Sequence, residues 1–279
     1  MPPEPQKNAA FDAIAADYDA SFTDTAVGSA QRDRVWHFLT QALAGRPNSK
    51  VLECNCGTGA DALWLAGQGC QVLATDVAPQ MVAVTQAKTQ QAGLKYRIET
   101  TVCSMQGIGT NPVINRSAPF DLMLSNFGGL NCLSPDEIRQ LNTNLQTVMA
   151  PGAVLALVVM SRFSWWETLY FLLKGKPRTA FRRLHRGPVI ARLDAETTIP
   201  TWYYAPKELS RLLSGFQIKR CRPVGFWLPP SYLDPFFRYQ PRWLKALQWL
   251  EKKSAAAWLA PAADHYFLLL ERKSVNGAD

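Results

Sequence analysis

The 279-residue sequence predicts an α/β fold with a doubly wound, mostly parallel sheet. Short apolar stretches of strand length alternate with helical stretches between residues 46 and 161. This alternation is typical of parallel sheets covered by helices on both faces. The predicted strands are continuously apolar, as strands buried on both faces are. After residue 161 the alternation stops, which indicates an insertion before the sheet resumes.

Local signals place the elements of the first part. Helical spacing of apolar residues predicts helices over residues 9–22 and 29–44. The predicted strands cover residues 50–54, 70–76, 95–103, 120–126 and 153–161. The predicted helices between them cover residues 61–67, 78–93 and 134–153. Ser134 is the expected N-cap of the last of these helices, with Pro135 in its first turn.

After residue 161 the strands and helices no longer alternate regularly. Residues 162–187 are aromatic first and basic later, and predict one helix, a break at Gly175–Pro177 and a second short helix. Residues 189–206 read as an extended hairpin. The remaining predicted elements are a helix at 206–215, a strand at 216–227, a helix at 241–259 and a closing strand at 264–273. Together with the first five, these give a sheet of seven strands.

The composition excludes several classes of protein. Apolar residues make up 47% of the chain, enough to fill a core. No apolar run reaches the roughly 18 residues that span a bilayer, and the N-terminus has no apolar signal segment. We therefore expect a cytoplasmic protein. The six cysteines lack paired zinc spacing, so we expect them to pack as small apolar residues and expect no metal.

Charge is distributed unevenly along the chain. Residues 1–159 hold 10 Lys and Arg against 13 Asp and Glu, whereas residues 160–273 hold 20 against 8. A basic half suggests an anionic substrate, a membrane surface or nucleic acid. A solvated basic face is the alternative.

The stretch Val51–Leu65, VLECNCGTGADALWL, reads as a strand, a tight turn and a helix. Gly57 and Gly59 free the backbone N–H groups of the turn to face a ligand at the helix N-terminus. Asp76 ends the next strand, 17 residues past Gly59, where a carboxylate can accept both hydroxyls of a ribose. Asn55 stands where such loops usually have their first glycine. Asparagine is the residue after glycine that best tolerates a positive φ, so the turn is expected to form.

The pattern Glu53-x-x-x-Gly-x-Gly, followed by Asp76, resembles the class I S-adenosylmethionine-dependent methyltransferases. FDAIAADYD near the N-terminus is similar to the lid of their quinone-biosynthesis, small-molecule branch. FDLMLSNFGGLNCL is similar to their fourth-strand segment, and DHYFLLLERK to their antiparallel last strand. The resemblance implies a Rossmann-like sheet with an antiparallel last strand and an inserted substrate cap. It also implies S-adenosylmethionine as cofactor and S-adenosylhomocysteine as product.

The resemblance implies a domain organisation and a set of cofactor residues. The expected segments are a disordered N-terminus (1–8), a helical lid (9–45), a cofactor-binding core (46–161), a substrate-cap insertion (162–205), the remainder of the sheet (206–273) and a tail (274–279). The expected cofactor-binding residues are Tyr18, Glu53, Asn55, Gly57, Gly59, Asp76, Val77, Met81, Cys103, Ser104, Met105, Asn126, Phe127 and Gly128.

Some of these residues have expected roles. The amide of Asn55 is expected to hydrogen-bond the methionine part of the cofactor, and Glu53 to orient the loop backbone or accept from the cofactor's amine. Cys103, Ser104 and Met105 stand where the family often has an acid that binds the adenine amine. Arg32 or Arg34 could hold the cofactor's carboxylate, although a solvated arginine is the expectation for both.

The substrate side is aromatic and basic. Phe163, Trp166, Tyr170, Tyr203 and Trp227 are the expected substrate residues, with the ordinary core of an insertion as the alternative. Among the three histidines, His185 in the basic insertion is the candidate general base. His37 is expected to be structural or exposed, and His265 to lie on the surface.

The sequence thus predicts methyl transfer to a hydroxyl of a hydrophobic small molecule or lipid, of quinone or polyketide type. N-methylation of an amine or RNA and a non-catalytic scaffold are the alternatives. An aromatic face beside a basic one also predicts peripheral contact with an anionic membrane. Nucleic acid is not expected as a partner because no recognisable nucleic-acid module is present. The sequence leaves the oligomeric state open.

Overall fold

The structure is a computed structural model that describes residues 7–192 and 197–273. Most of the predicted disordered N-terminus and the whole predicted tail lie outside these residues. Helix α1 (Lys7–Asp12) begins within the segment 1–8, so the lid starts two residues earlier than predicted.

The N-terminal region is not the single helix predicted over residues 9–22. Helix α1 is followed by turns and a π-helical turn, Asp19–Thr23, before α2 (Ala26–Leu43) begins. The break has a polar cause. Asp12 Oδ1 accepts a hydrogen bond from the backbone N–H of Gln80 (2.7 Å), and Asp19 Oδ1 accepts one from Thr58 Oγ1 (2.6 Å). Both contacts turn acidic side chains towards the rest of the protein.

The next elements follow the predicted alternation, with one additional short helix, α5, between the third and fourth strands. They are β1 (Lys50–Cys54), α3 (Ala60–Gly67), β2 (Gln71–Asp76), α4 (Pro79–Gln91), β3 (Ile98–Val102), α5 (Pro112–Ser117), β4 (Phe120–Ser125), α6 (Pro135–Val148) and β5 (Met149–Met160). The predicted N-cap of α6 is confirmed: Ser134 Oγ accepts from Glu137 N (3.3 Å), and Glu137 Oε2 accepts from Ser134 N (2.6 Å). Helix α6 ends earlier than predicted because Met149 already pairs with Phe120 of β4.

The second part contains the predicted broken helix and hairpin. Its elements are α7 (Trp165–Leu173), α8 (Pro177–Ala180), β6 (Val189–Arg192), β7 (Thr198–Thr201), α9 (Pro206–Leu212), β8 (Phe216–Val224), α10 (Asp234–Phe237), α11 (Pro241–Lys253) and β9 (His265–Arg272). Helix α11 ends six residues before its predicted end, and a separate 3₁₀ turn, Ala257–Ala262, follows.

Seven of the described strands form one sheet in the order β3-β2-β1-β4-β5-β9-β8. Strands β1 to β5 are parallel, and β9 runs antiparallel to both of its neighbours. The predicted mostly parallel sheet with an antiparallel last strand is therefore confirmed. Because β9 runs in the opposite direction, its first residue, His265, pairs with Met160 at the end of β5. The start of β9 consequently lies at the edge where the parallel strands end.

Apolar layers cover both faces of the sheet. Leu52 belongs to the layer that packs against α6 and α9, and its neighbour Val51 to the layer against α2 and α3. A smaller cluster joins α2 to α10 and α11 through Val27, Phe237 and Leu244, with Trp166 of α7 packed against it. Among the helices of residues 7–192 and 197–273, none is both long and apolar enough to cross a membrane.

Candidate active site

The glycine loop follows β1 and has the backbone that the sequence predicts. Asn55, Gly57 and Gly59 all have positive φ, at 52°, 55° and 83°. The prediction that Asn55 would take the left-handed conformation is confirmed. The backbone N–H of Gly57 donates to Asp76 Oδ2 (2.9 Å), so the loop is tied to the end of β2.

The side chain of Asn55 has a structural role that the sequence did not suggest. Its Nδ2 donates to the carbonyl oxygen of Asn126 (2.6 Å), and its Oδ1 accepts from Ser125 Oγ (2.6 Å). A Cβ on Gly129 would lie 2.2 Å from this amide. The amide therefore clamps the loop to the end of β4. Because Asn55 also lines the cavity described below and keeps a second N–H and a second lone pair, its hydrogen bond to the methionine part of a cofactor stays a prediction.

Asp76 is the carboxylate at the end of β2. Besides Gly57, the backbone N–H of Ala78 donates to its Oδ1 (3.0 Å). Burial raises the pKa of Asp76, while these backbone donors act in the opposite direction. Each carboxylate oxygen keeps a further lone pair. Asp76 lines the cavity described below, so it can accept hydrogen bonds from two neighbouring hydroxyls.

A buried ion pair lies beside the loop. Arg32 Nη1 donates to Asp61 Oδ2 (2.6 Å), and Asp61 also accepts from Trp36 Nε1 and Asn126 Nδ2. Arg32 is 7% exposed and its guanidinium lies 5.2 Å from the ring centroid of Phe127. The expectation of a solvated Arg32 is therefore wrong, because Asp61 neutralises it within the protein.

Two further charged residues are buried, so the solvated Arg34 expected from the sequence is wrong, while the role expected of Glu53 stays a prediction. Arg34 is also buried, with its guanidinium over the ring of Phe38 (4.3 Å), and does not line the cavity. Glu53 is buried behind the loop, and its Oε2 finds no hydrogen-bond donor among the described residues. Burial, together with the charge of Asp61, raises the pKa of Glu53 well above its usual range. Glu53 does not reach the cavity wall.

The N-terminal segment covers this site as a lid. Tyr18 lies over the loop, since a Cβ on Gly57 would be 3.9 Å from its ring. Phe22 packs between Tyr18 (5.6 Å) and Phe127 (5.4 Å). Asp19 fastens the segment through its ion pair with Lys88. Burial raises the pKa of Tyr18 to about 12, so its hydroxyl keeps its proton near neutral pH.

One cavity of about 550 Å³ collects most of the predicted cofactor residues. Its lining includes Tyr18, Asn55, Gly57, Asp76, Val77, Met81, Cys103, Ser104, Met105, Asn126, Phe127 and Gly128. Gly59 and Glu53 are absent from the lining. Gly59 is instead packed behind the loop, where a Cβ would lie 2.7 Å from the side chain of Thr85.

The predicted substrate residues divide differently. Tyr203 lines the cavity, but the other four do not. Trp166 packs on Phe237 and donates through Nε1 to the carbonyl of Trp227, and Tyr170 packs on Tyr232, which does line the cavity. The four residues outside the lining are Phe163, Trp166, Tyr170 and Trp227. The packing of Trp166 on Phe237 and Trp227 matches the alternative of an ordinary insertion core.

The histidine assignments are reversed by the structure. His185 is exposed, outside the cavity, and its Nδ1 accepts from the backbone N–H of Gly187 (3.1 Å). His265, expected at the surface, is 8% exposed and lines the cavity. The signal that could have found it is topological: a histidine that opens an antiparallel strand lies at the carboxyl edge of the parallel ones.

A charged cluster at the far end of the cavity was not predicted. Arg183 Nη2 donates to Glu167 Oε2 and to Asp264 Oδ1, both at 2.7 Å, and Arg182 Nε donates to Glu167 Oε1 (2.9 Å). The Nδ1 atom of His265 lies 3.2 Å from Asp264 Oδ2. These five residues all line the cavity. The chain brings them together from α7, the turn after α8 and the start of β9.

The site fits S-adenosylmethionine. Asp76 offers acceptors for the two ribose hydroxyls. The Arg32–Asp61 pair presents both signs of charge, as a zwitterionic amino-acid tail requires. Gly57 leaves the loop open to a close approach, and Met81 and Met105 supply apolar contact for a flat ring.

Comparisons with known proteins agree with this geometry. The family described as methyltransferase domain matches residues 51–152. Demethylmenaquinone methyltransferase of Parafrankia sp. is 31% identical over 189 residues, which cover 63% of this chain and 72% of that protein. The tRNA 5-carboxymethoxyuridine methyltransferase of Escherichia coli is 26% identical over 150 residues, covering 53% of this chain and 55% of that protein. The chain thus spans about half the length of this relative.

Solved structures share the fold. Magnesium protoporphyrin IX methyltransferase from Synechocystis PCC 6803, with bound S-adenosylhomocysteine, superposes with a TM-score of 0.61 at 15% identity, covering 95% of this chain and 98% of that one. The chain belongs to the class I S-adenosylmethionine-dependent methyltransferases. S-adenosylmethionine is accordingly its cofactor.

Proposed function

We propose that this protein transfers a methyl group from S-adenosylmethionine to a hydroxyl of a hydrophobic small molecule or lipid. The observation that carries the proposal is the continuous cavity. Its first part contains Asp76 and the Arg32–Asp61 pair, and its far part is lined by Tyr203, Ile199 and Tyr232 beside the charged cluster described above. A cofactor in the first part would leave the far part for an acceptor with apolar surface.

The residues of the chain position the two reactants. When bound, the cofactor supplies a methyl group on a positively charged sulfur, which an acceptor oxygen displaces in line. Asp76 and the Arg32–Asp61 pair fix the two ends of the cofactor. Tyr18 and Phe22 exclude water from above, and holding the reactants in one orientation accounts for much of the rate enhancement expected of such a site.

Calorimetric titration with S-adenosylhomocysteine tests the cofactor half. The parent is expected to bind at micromolar Kd, and Asp76→Ala to lose binding because no acceptor remains for the ribose. Asp33→Ala removes an exposed carboxylate from α2 and serves as the matched control. Absence of binding by the parent contradicts the proposal and favours the non-catalytic scaffold.

A panel of acceptors tests the other half. Methyl transfer from tritiated S-adenosylmethionine is measured to a prenylated hydroquinone, a prenylated aniline and bulk tRNA. Transfer to the hydroquinone alone supports the proposal. Transfer to the aniline or to tRNA favours the alternatives. The tRNA alternative draws on the basic half of the chain and on the Escherichia coli relative. RNA binding would then fall steeply with salt as counterions are released.

We also propose peripheral contact with an anionic membrane through α7, α8, α10 and α11. Helices α7, α10 and α11 pack together through Trp166, Phe237 and Leu244, and α8 joins α7 through the hydrogen bond from Thr168 Oγ1 to the carbonyl of Ala180. Within residues 162–192 and 226–263 the acidic residues are Glu167, Asp234 and Glu251, and all three are buried.

The outer side of these helices carries cations and large apolar groups. Trp243 and Trp249 on α11 are 66% and 60% exposed, and Leu173 at the end of α7 is 79% exposed. Exposed lysines and arginines that form no ion pair within the described residues accompany them at positions 174, 176, 178, 242, 245, 252 and 253. Exposed tryptophan beside unneutralised positive charge suits the interface of an anionic bilayer.

Sedimentation with vesicles tests this surface. The parent is expected to sediment with vesicles containing phosphatidylglycerol at low salt and to stay in solution with phosphatidylcholine alone. The double variant Trp243→Ser, Trp249→Ser is expected to lose the binding. Tyr96→Ser, which removes an exposed aromatic residue before β3, should retain it. Equal sedimentation of all three proteins would contradict the proposed surface.

A further inference from the structure

His265 occupies a defined place on the cavity wall. Its ring packs edge-on against Phe127, with 5.5 Å between the centroids. The guanidinium of Arg32 lies 5.2 Å from the centroid of the same Phe127 ring. His265 is therefore one side chain beyond the part of the cavity assigned to the cofactor, in the part left for the acceptor.

The two nitrogens of the His265 ring differ in their surroundings. Nδ1 is buried, 3.2 Å from Asp264 Oδ2, and makes no hydrogen bond within residues 7–192 and 197–273. A buried polar atom without a partner is uncommon and points to a function or a small rearrangement. A small rotation of the ring or of the carboxylate would turn a proton on Nδ1 towards Asp264 Oδ2, which would leave the lone pair of Nε2 as the basic site for a ligand.

Asp264 is held rigidly for this role. Arg183 donates to its Oδ1 and also, through Nη1, to its backbone carbonyl (3.0 Å). Burial raises the pKa of Asp264, but His265 and Arg183 outweigh it and hold that pKa well below its usual range. The carboxylate is thus ionised wherever the protein is folded near neutral pH.

The other titratable groups around His265 do not compete for the role of base. Glu167 is paired with both Arg182 and Arg183. Burial raises the pKa values of Tyr203 and Tyr232, so both phenols keep their protons. The two arginines and the two carboxylates of the cluster balance one another, and a proton on His265 adds one positive charge next to Asp264.

We infer that His265 is the general base of the proposed methyl transfer and that Asp264, fixed by Arg183, is its positioning residue. This inference rests on the proposed function. As the acceptor oxygen bonds to the methyl carbon, the carbon–sulfur bond breaks with its electron pair going to sulfur, and the hydroxyl proton passes to Nε2. The positive charge moves from sulfur to the imidazole, and water later removes the proton.

Nitrogen NMR of the histidine rings tests the inference without knowledge of the acceptor. The chain has three histidines, and His37→Gln and His185→Gln assign the third signal by elimination, since both of these residues are exposed. With S-adenosylhomocysteine bound, the neutral ring of His265 is expected to carry its proton on Nδ1. Asp264→Asn, which removes the carboxylate that favours a proton on Nδ1, should shift the neutral ring towards the form protonated on Nε2.

Two results would overturn the inference. One is a neutral His265 ring protonated on Nε2, which has no lone pair free for the hydroxyl proton. The other is an unchanged balance of the two neutral ring forms in Asp264→Asn. The tautomer is read in proteins that keep Asp264, so it decides the matter even if Asp264→Asn fails to fold. Failure of the parent to bind S-adenosylhomocysteine refutes the proposed function instead, and the two failures are thus distinguishable.

Catalysis provides the second test. His265→Gln is expected to bind S-adenosylhomocysteine like the parent but to transfer methyl to the prenylated hydroquinone about 10²- to 10⁴-fold more slowly, the usual contribution of a general base. A nitro-substituted prenylated hydroquinone, ionised at the assay pH, needs no base and should restore most of the rate. Parent-like transfer by His265→Gln to the protonated acceptor, or an equal loss with both acceptors, contradicts the assignment.

Discussion

Asn55→Gly should destabilise the protein although it places the residue best suited to a positive φ at a position with φ of 52°. The substitution relieves about 1 kcal/mol of left-handed strain. It also removes the hydrogen bonds with Asn126 O and Ser125 Oγ, each worth about 1 kcal/mol net, and leaves these groups without partners. Ser125 is fully buried, so its unpaired hydroxyl costs roughly a further 1–3 kcal/mol.

The balance is a loss of about 2–4 kcal/mol in the free energy of unfolding. Asn48→Gly is the matched control, because Asn48 has a φ of 56° but an exposed side chain. Both substitutions add the same freedom to the unfolded chain, so their difference isolates the clamp. Urea unfolding followed by circular dichroism measures both. Equal stabilities of the two variants would refute the assigned role of the Asn55 amide.

Three more outcomes follow from contacts described above. Gly129→Ala should lower the free energy of unfolding by about 2 kcal/mol in the parent, because the new Cβ would overlap the Asn55 amide. In Asn55→Gly, which lacks that amide, the loss should be much smaller. Additive losses of the two substitutions in urea unfolding would contradict this. Arg32→Met should cost about 3 kcal/mol by leaving Asp61 buried and unpaired, whereas Arg116→Met at an exposed pair should cost about 0.5 kcal/mol or less; calorimetric melting compares them. The pKa of Asp264 is lower in the folded protein than in the unfolded chain, so the ionised carboxylate stabilises the fold. This contribution is fully present above the pKa of unfolded aspartate and is lost as the pH falls towards the pKa of the folded protein. Asp264→Asn should therefore show a shallower loss of stability than the parent between about pH 5 and 2, and parallel curves would exclude this contribution.

Features encoded within a few residues of one another could be predicted from the sequence. The cap of α6 depends on Ser134 and Glu137, three residues apart, and each strand of the first half is defined by its own apolar run. The turn at Asn55 follows from the conformational tolerance of that residue alone. Such features can be predicted because they do not depend on which distant residues the segment contacts.

Features that depend on distant partners could not be predicted. Arg32 is buried because Asp61, 29 residues further on, neutralises it, and the Asn55 amide is hydrogen-bonded to β4 and the residue after it, about 70 residues away. His265 reaches the cavity because β9 runs against its neighbours and begins at their carboxyl edge. The aromatic residues of α7 showed that a core was needed, but not that Trp166 would turn towards Phe237 and away from the cavity.

The pairing of Ser161 with Tyr204 has a consequence for how this protein can diversify. The chain leaves the sheet after β5 at Ser161 and returns at Tyr204, and a parallel bridge joins these two residues side by side. The inserted segment, residues 162–203, therefore begins and ends at neighbouring positions. Insertions whose two ends lie close together are readily exchanged for one another. Related proteins could therefore carry a different segment here and act on different acceptors. The cofactor-binding core, whose parallel strands end at Met160, need not change.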